Sequence, residues 1–406
     1  MVGKDLIMAT LLGSGGGSGS GGGGSAGVSP KEVNFYDYDG TCVHAYTVEE
    51  AQALSELPAG PEHPGLVFQG WNWSLEGVKG LTRAMNIGAM YTTDDGTTRL
   101  YITLHEGRTS PMLGVGVNGT VTVDWGDGTE PDVLTGTSVS ATKWTPNHAY
   151  AASGDYVIRL TVDGEMAFTG DSSGYAHIMR NASVSDKINY AYQRSLRKVE
   201  IGENVTTISK FAFNECYNLD AVVTHKGVEL PDGYGMQRSG IHAFVIPSGC
   251  DNIGNYCFNS TPRLRVVSLP EGTTYGQDTF DGSAVQTLID VLPLYKVCYQ
   301  SGKLVAATIS ENAASIEDSA FYQCYALSTP LFIPPSVASV GTYAFYQCYS
   351  LSYIDFTQHT AVPALSNTNA FQGCPSDCKV RVPAALYDEW IAATNWSTMP
   401  GRIEAY

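Results

Sequence analysis

Over residues 196–383, apolar and polar positions recur with a period near 23 residues, far longer than the repeat of a helix or a single strand. The clearest copies read Ala320-Phe321-Tyr322-Gln323-Cys324-Tyr325-Ala326-Leu327 and Ala344-Phe345-Tyr346-Gln347-Cys348-Tyr349-Ser350-Leu351. Each is followed by a β-prone apolar run, Leu331-Phe332-Ile333-Pro334 in one and Tyr353-Ile354-Asp355-Phe356 in the other. Taking Phe213, Met236, Phe258, Phe280, Tyr299, Phe321, Phe345 and Phe371 as anchors gives steps of 23, 22, 22, 19, 22, 24 and 26 residues. One such unit holds an aromatic, a Cys, a Leu and a strand of a few residues, too little to close a core. Stacking on neighbours removes those side chains from water at roughly 25 cal/mol per Å² of apolar area. The pattern therefore predicts a solenoid of about eight coils with parallel strands about 4.8 Å apart. Gly202, Asn204, Gly254, Asn255, Gly272 and Gly341 are expected at its turns.

The rest of the chain divides by pattern. Residues 1–30 join a short apolar start to an almost pure Gly/Ser stretch. They read either as an attachment peptide on a flexible tether or as an irregular start. Residues 31–97 begin with two short strands around Asp39-Gly40. A Thr47/Glu50 capping box then opens a helix closed by Pro58, and a strand ends in Gly70-Trp71-Asn72-Trp73. Residues 98–170 alternate as strands with turn signals between them. Residues 171–195 form a Ser-, Tyr- and Asn-rich connector expected to cover the first coil. Residues 384–406, with Leu386, Trp390 and Ile391 on one helical face followed by Trp396 and a terminal strand, read as a C-terminal cap. The fold class is mainly β.

Three stretches carry resemblances. Ile316, Ala320, Phe321, Cys324, Leu327, Ile333 and Pro334 follow one another as in the BspA-type leucine-rich repeat, which implies a surface-exposed recognition or adhesion module. The order strand, turn, strand, helix, strand ending in Gly-Trp resembles the Listeria-Bacteroides (internalin B-type) repeat and implies a small β-grasp module. The Trp125-Gly126-Asp127-Gly128 turn, His148-Ala149-Tyr150, Gly154-Asp155-Tyr156 and Leu160-Thr161-Val162 resemble a PKD domain, implying an immunoglobulin-like sandwich that serves as spacer or contact module.

Charge and cysteine usage narrow this picture. A formal net charge of -17 without clustered Lys and Arg argues against nucleic acid as partner. Of nine cysteines, Cys216, Cys257, Cys324, Cys348 and Cys374 sit at or beside a repeating position, so free thiols used as small core residues are expected rather than a disulfide framework. Cys374 and Cys378 are the one pair whose spacing leaves a bridge or a metal open. Asp37, Asp39 and Thr41 begin like a calcium loop, but Cys42 and Val48 stand where Gly and Glu are required, which leaves an ordinary turn. Asp124 and Asp127 are expected to cap turns rather than to bind metal.

The search for chemistry yields no catalytic residue, metal-ligand set or cofactor motif; the eight histidines stand singly. Tyrosine is the informative excess, 24 against 13 Phe. Tyr217, Tyr322, Tyr325, Tyr346 and Tyr349 occupy the positions after the anchor or after the Cys. If Phe, Cys and Leu point inward, these rings are the candidate binding surface. The alternative is that they shield turns and bind nothing. The N-terminal run is too short to span a membrane and lacks a cleavage signal, and the terminus lacks an anchor motif. These features favour a virion protein over an exported one. The whole arrangement resembles tail-fibre or tail-tip proteins of gut bacteriophages, which implies a host-attachment role. The N-terminus would dock on tail proteins, residues 31–170 would act as spacer, and the solenoid would meet a host protein or glycan, with a homo-oligomer open. The alternative is a BspA-type adhesin on the bacterial surface.

Overall fold

The computed structural model describes residues 27–169, 178–180, 190–230, 233–270, 272–292 and 295–406. The expected attachment peptide and most of the 171–195 connector lie outside them. The chain is mainly β, with a solenoid of about nine turns. Its contacts separate residues 22–274 from residues 275–406 as two compact units.

In the first unit, β1 (Val33–Tyr36) and β2 (Cys42–Tyr46) form the expected hairpin, turned at Gly40 with φ 86°. The helix α1 (Val48–Gln52) opens with both bonds of the Thr47/Glu50 capping box. It stops at Gln52, well short of Pro58, because Gln52 and Ala53 are exposed and nothing buries a further turn. After β3 (Leu66–Trp71) and α2 (Leu75–Lys79) comes β4 (Met85–Thr93), a strand the pattern did not reveal. All nine of its residues are buried, so it shows none of the alternation that marks a half-buried strand. It pairs parallel to β1 and antiparallel to β3, giving the mixed order β2-β1-β4-β3.

The strands expected to form a separate sandwich do otherwise. β5 (Thr98–Leu104), β6 (Met112–Asp124), β7 (Asp132–Trp144) and β8 (Gly154–Phe168) share one eight-stranded sheet with β9 (Met179–Arg180) and the first solenoid strands. These are β10 (Leu196–Glu200), β11 (Val205–Ile208) and β12 (Ala221–Val223). β5 runs antiparallel to β10, and β11 runs parallel to the end of β8. The open edge of the first coil is thus closed by backbone pairing, and no boundary near residue 170 separates independent bodies. The Trp-Gly-Asp-Gly turn is structural. Asp127 takes a 2.8 Å bond with His148, whose ring stacks on Trp125 at 4.5 Å, and the Tyr150 hydroxyl donates to the Trp125 carbonyl. Asp124 caps the turn by accepting from the Gly126 N–H.

Residues 31–97 pack against the coils. β4 lies against the solenoid strands β12, β13 (Ala243–Val245) and, beyond β14 (Asn252–Ile253), β15 (Val266–Ser268). The Tyr91 N–H donates to the Thr224 carbonyl at 3.0 Å. Asn72 Nδ2 donates to the carbonyls of Ile246 (2.9 Å) and Ser268 (3.2 Å), while its Oδ1 accepts from Gly88 N–H (2.8 Å). The Trp73 indole donates to the Leu269 carbonyl at 2.8 Å. A Cβ at Gly88 would lie 2.5 Å from Val245 Cγ1, so glycine permits the approach.

Within the coils, seven of the eight expected anchors are buried, Tyr299 being the exception, and in the second unit Phe321, Phe345 and Phe371 stack at 5.6 and 5.5 Å. One anchor is corrected. Cys298, not Tyr299, donates its N–H to the Ala320 carbonyl, as Phe321 does to Ala344 and Phe345 to Ala370. Leu304 then falls six residues after the anchor, like Leu219, Leu264, Leu327 and Leu351, and the adjoining steps become 18 and 23 residues. A strand ahead of the first anchor, β10, accounts for the extra coil.

The turns are built differently from expectation. In all but the last coil, where Gly373 alone does so, the residues two before and two after the anchor take left-handed backbone, as at Phe211/Glu215, Tyr234/Arg238, Lys296/Gln300, Ser319/Gln323 and Tyr343/Gln347. This conformation costs roughly 1–2 kcal/mol for a non-glycine residue. It is offset because the N–H groups it aims along the stack find carbonyls on the next coil, such as Gln300 to Tyr322 (2.7 Å) and Gln323 to Tyr346 (2.7 Å). Of the six Gly and Asn residues assigned to turns, Gly272 alone is left-handed. Gly341 serves close approach instead, since a Cβ there would meet the Asp318 backbone N at 2.5 Å.

The cysteines are all free and buried. Cys324, Cys348 and Cys374 each donate to the anchor carbonyl of the preceding coil, at 3.1 Å. Burial pushes Cys257 up to about 12 and raises Cys216, Cys298 and Cys348 further, so these thiols stay protonated and inert. Thiol titration of the unfolded chain without reductant is expected to find nine reactive groups. Fewer than about seven would show that this ladder is not kept reduced.

Candidate functional site

The candidate site is the outward side of the coils in the unit containing residues 275–406. Alternation inside each repeat places it: Phe, Cys and Leu turn in, so the residues after the anchor and after the Cys turn out. Tyr322 and Tyr346 stack at 4.7 Å with planes 11° apart, and Tyr325 and Tyr349 at 5.4 Å and 7°. The anchor correction adds Tyr299, which holds the same place one coil earlier and stacks on Tyr322 at 4.6 Å and 10°. Tyr343, at a left-handed position, meets Tyr322 and Tyr346 edge-on at 6.3 and 5.4 Å. A sequence signal for Tyr299 existed, the constant six-residue offset from anchor to Leu. None existed for Tyr343, whose exposure follows from backbone conformation.

Structure therefore brings together four of the five predicted tyrosines. Tyr217 belongs to the other unit, where it is half-buried beneath the Arg194 guanidinium at 5.3 Å. Beside the rings runs a row of amides. Gln300 donates to Gln323 at 3.1 Å, and Gln323 to Gln347 at 2.8 Å. Tyr325 and Tyr349 are the most open rings, 41% and 54% exposed, whereas Tyr299, Tyr322 and Tyr346 are half-buried by stacking. Desolvation first, and neighbouring phenols second, push the Tyr322 and Tyr325 hydroxyls above their usual range, so both remain donors at neutral pH. Lys296 brings a cation to this face, its ammonium 4.9 Å from the Tyr299 ring and 5.1 Å from the Tyr295 ring. The arrangement offers hydrogen bonding and apolar contact. Among the described residues no group of three or more His, Cys, Asp or Glu side chains is placed to hold a metal ion.

Residues 186–290 and 294–388 match the BspA type leucine rich repeat region in six copies. The repeats are thus similar to BspA-type leucine-rich repeats. Among solved structures, a leucine-rich repeat protein from Bacteroides ovatus ATCC 8483 is similar at 20% identity and a TM-score of 0.45. The similarity covers 54% of this chain and 56% of that one. No curated protein matches the chain.

Proposed function

We propose that this repeat protein is a non-catalytic recognition protein that presents its coils to a cell surface. The supporting observation is the exposed tyrosine and glutamine ladder, repeated over successive coils with rings held rigid by stacking. Rigid amphipathic rings are the side chains that binding surfaces favour, because they contribute contact area with little entropy left to lose. The finer reading is host attachment by a phage or prophage tail, with tail proteins as partners at the N-terminus and a host protein or glycan at the coils. The bacterial adhesin is the alternative.

Alanine at Tyr322, Tyr325, Tyr346 and Tyr349 together is expected to abolish binding of the labelled full chain to gut Firmicutes or Bacteroides cells that bind the wild type. Losing stacked pairs costs roughly 0.5–1.5 kcal/mol each. The paired variant Tyr325→Ser/Tyr349→Ser, at the most exposed rings, is therefore run beside it and is expected to bind at least about tenfold more weakly with nearly unchanged melting. Undiminished binding by both variants would remove these rings from the site. Adjacent tail and lysis genes would support the virion reading, and secretion genes the adhesin.

A further inference from the structure

Resting on the surface-recognition reading, we infer that the ligand of the tyrosine face is an uncharged polysaccharide bound along the coils through its hydroxyl groups, edge-on to the rings. The stacking itself excludes the commoner mode. With planes 10° and 11° apart at 4.6 and 4.7 Å, Tyr299, Tyr322 and Tyr346 cover one another's faces, leaving edges and hydroxyls outward. A sugar has no free ring face to lie on within that row. It meets instead phenol hydroxyls and, alongside, the amides of Gln300, Gln323 and Gln347, repeated once per coil.

The repeat distance discriminates between polymers. An extended peptide advances about 3.1–3.4 Å per residue, out of step with rungs about 4.7 Å apart, so its polar groups lose register within two coils. A pyranose ring with its bridging oxygen advances an extended chain by close to one coil spacing, which sets one sugar against each rung.

The row continues into a cleft. Lys296 lies over both the Tyr299 ring of the ladder and the Tyr295 ring. Tyr295 lines a shallow opening of about 300 Å³ with Ser315, Glu317, Asp318, Ser339 and Ser366. Its two acids are held by backbone: Glu317 Oε2 accepts from the Tyr295 N–H at 2.8 Å and Asp318 Oδ1 from the Thr342 N–H at 2.5 Å. Carboxylate oxygens accept readily from a sugar's hydroxyls, while two carboxylates beside three serines disfavour an anionic glycan.

The test titrates the full chain with cello-, xylo- and manno-oligosaccharides of increasing length and with sialyllactose, by calorimetry. At least one neutral series is expected to bind, with affinity rising to about three sugars, the span of the rungs, and then level; sialyllactose is expected not to bind. The variant Tyr322→Phe/Tyr346→Phe keeps the stack and removes the hydroxyls, and is expected to lose at least about tenfold in affinity with unchanged melting. Equal binding by that variant would overturn edge-on recognition. If no neutral series binds while cell binding remains sensitive to the alanine variant, the polysaccharide falls and the recognition reading stands. Cell binding insensitive to those alanines would remove the rings from the recognition site, and the edge-on polysaccharide with them.

Discussion

Replacing Trp396 by alanine is expected to destabilise the unit containing residues 275–406 by roughly 3–5 kcal/mol, the usual cost of a large aromatic deleted from a closed core. Trp396 is fully buried and donates to the Pro363 carbonyl at 2.8 Å. It packs against Trp390 at 4.7 Å, Phe356 at 5.9 Å and Phe371 at 5.8 Å, the last being the final rung of the phenylalanine stack. A solenoid's end coil has no next coil to bury it, and these two tryptophans take that place. For a body of this size the loss corresponds to a fall in melting temperature of roughly 10–15 °C. Calorimetry of the variant checks it, with Trp396→Phe as the milder control expected to lose little beyond the indole bond. Melting within about two degrees of wild type would mean that the cap is not what closes the stack.

That cap was legible before any coordinates, because a tryptophan in a short helix after the last repeat and a second one just beyond it have only the open coil to cover. The repeat was legible for the same reason: each copy states which residues must be shared with a neighbour. What stayed hidden is of three kinds. β4 is buried on both faces and so loses the alternation that reveals strands. The left-handed turns fall on Tyr, Gln, Lys and Ser, chosen by bonds to the next coil rather than by local preference, so a search for Gly and Asn looks in the wrong places. The pairing of β5 with β10 joins residues nearly a hundred positions apart and leaves no local mark. Of the candidate face, the four repeated tyrosines followed from period alone. Tyr299 was concealed by an anchor that is a cysteine, and the covering of ring faces emerged only from the planes and distances.

Asn72→Leu is expected to have the second large effect, because it tests whether residues 31–97 stand apart from the repeats or are built onto them. The substitution keeps volume while removing one acceptor and two donated bonds at a site only 3% exposed. The Ser268 carbonyl keeps the Ile246 N–H at 3.0 Å, but the Gly88 N–H loses its bond to Oδ1 and the Ile246 carbonyl its bond from Nδ2. A buried polar group left unpaired costs roughly 1–3 kcal/mol, so the pair amounts to about 2–6 kcal/mol. The readout is amide exchange at β13 and β15 together with β4. A docked module predicts that protection falls on both sides of the interface and that the unit still melts as one. A spacer predicts loss confined to residues 31–97, with the coils as protected as before. Gly88→Ala repeats the test by steric means, since its Cβ cannot share space with Val245 and the two backbones must part. Agreement between a variant that removes bonds and one that adds bulk would assign the effect to the interface itself, because the two share no other consequence.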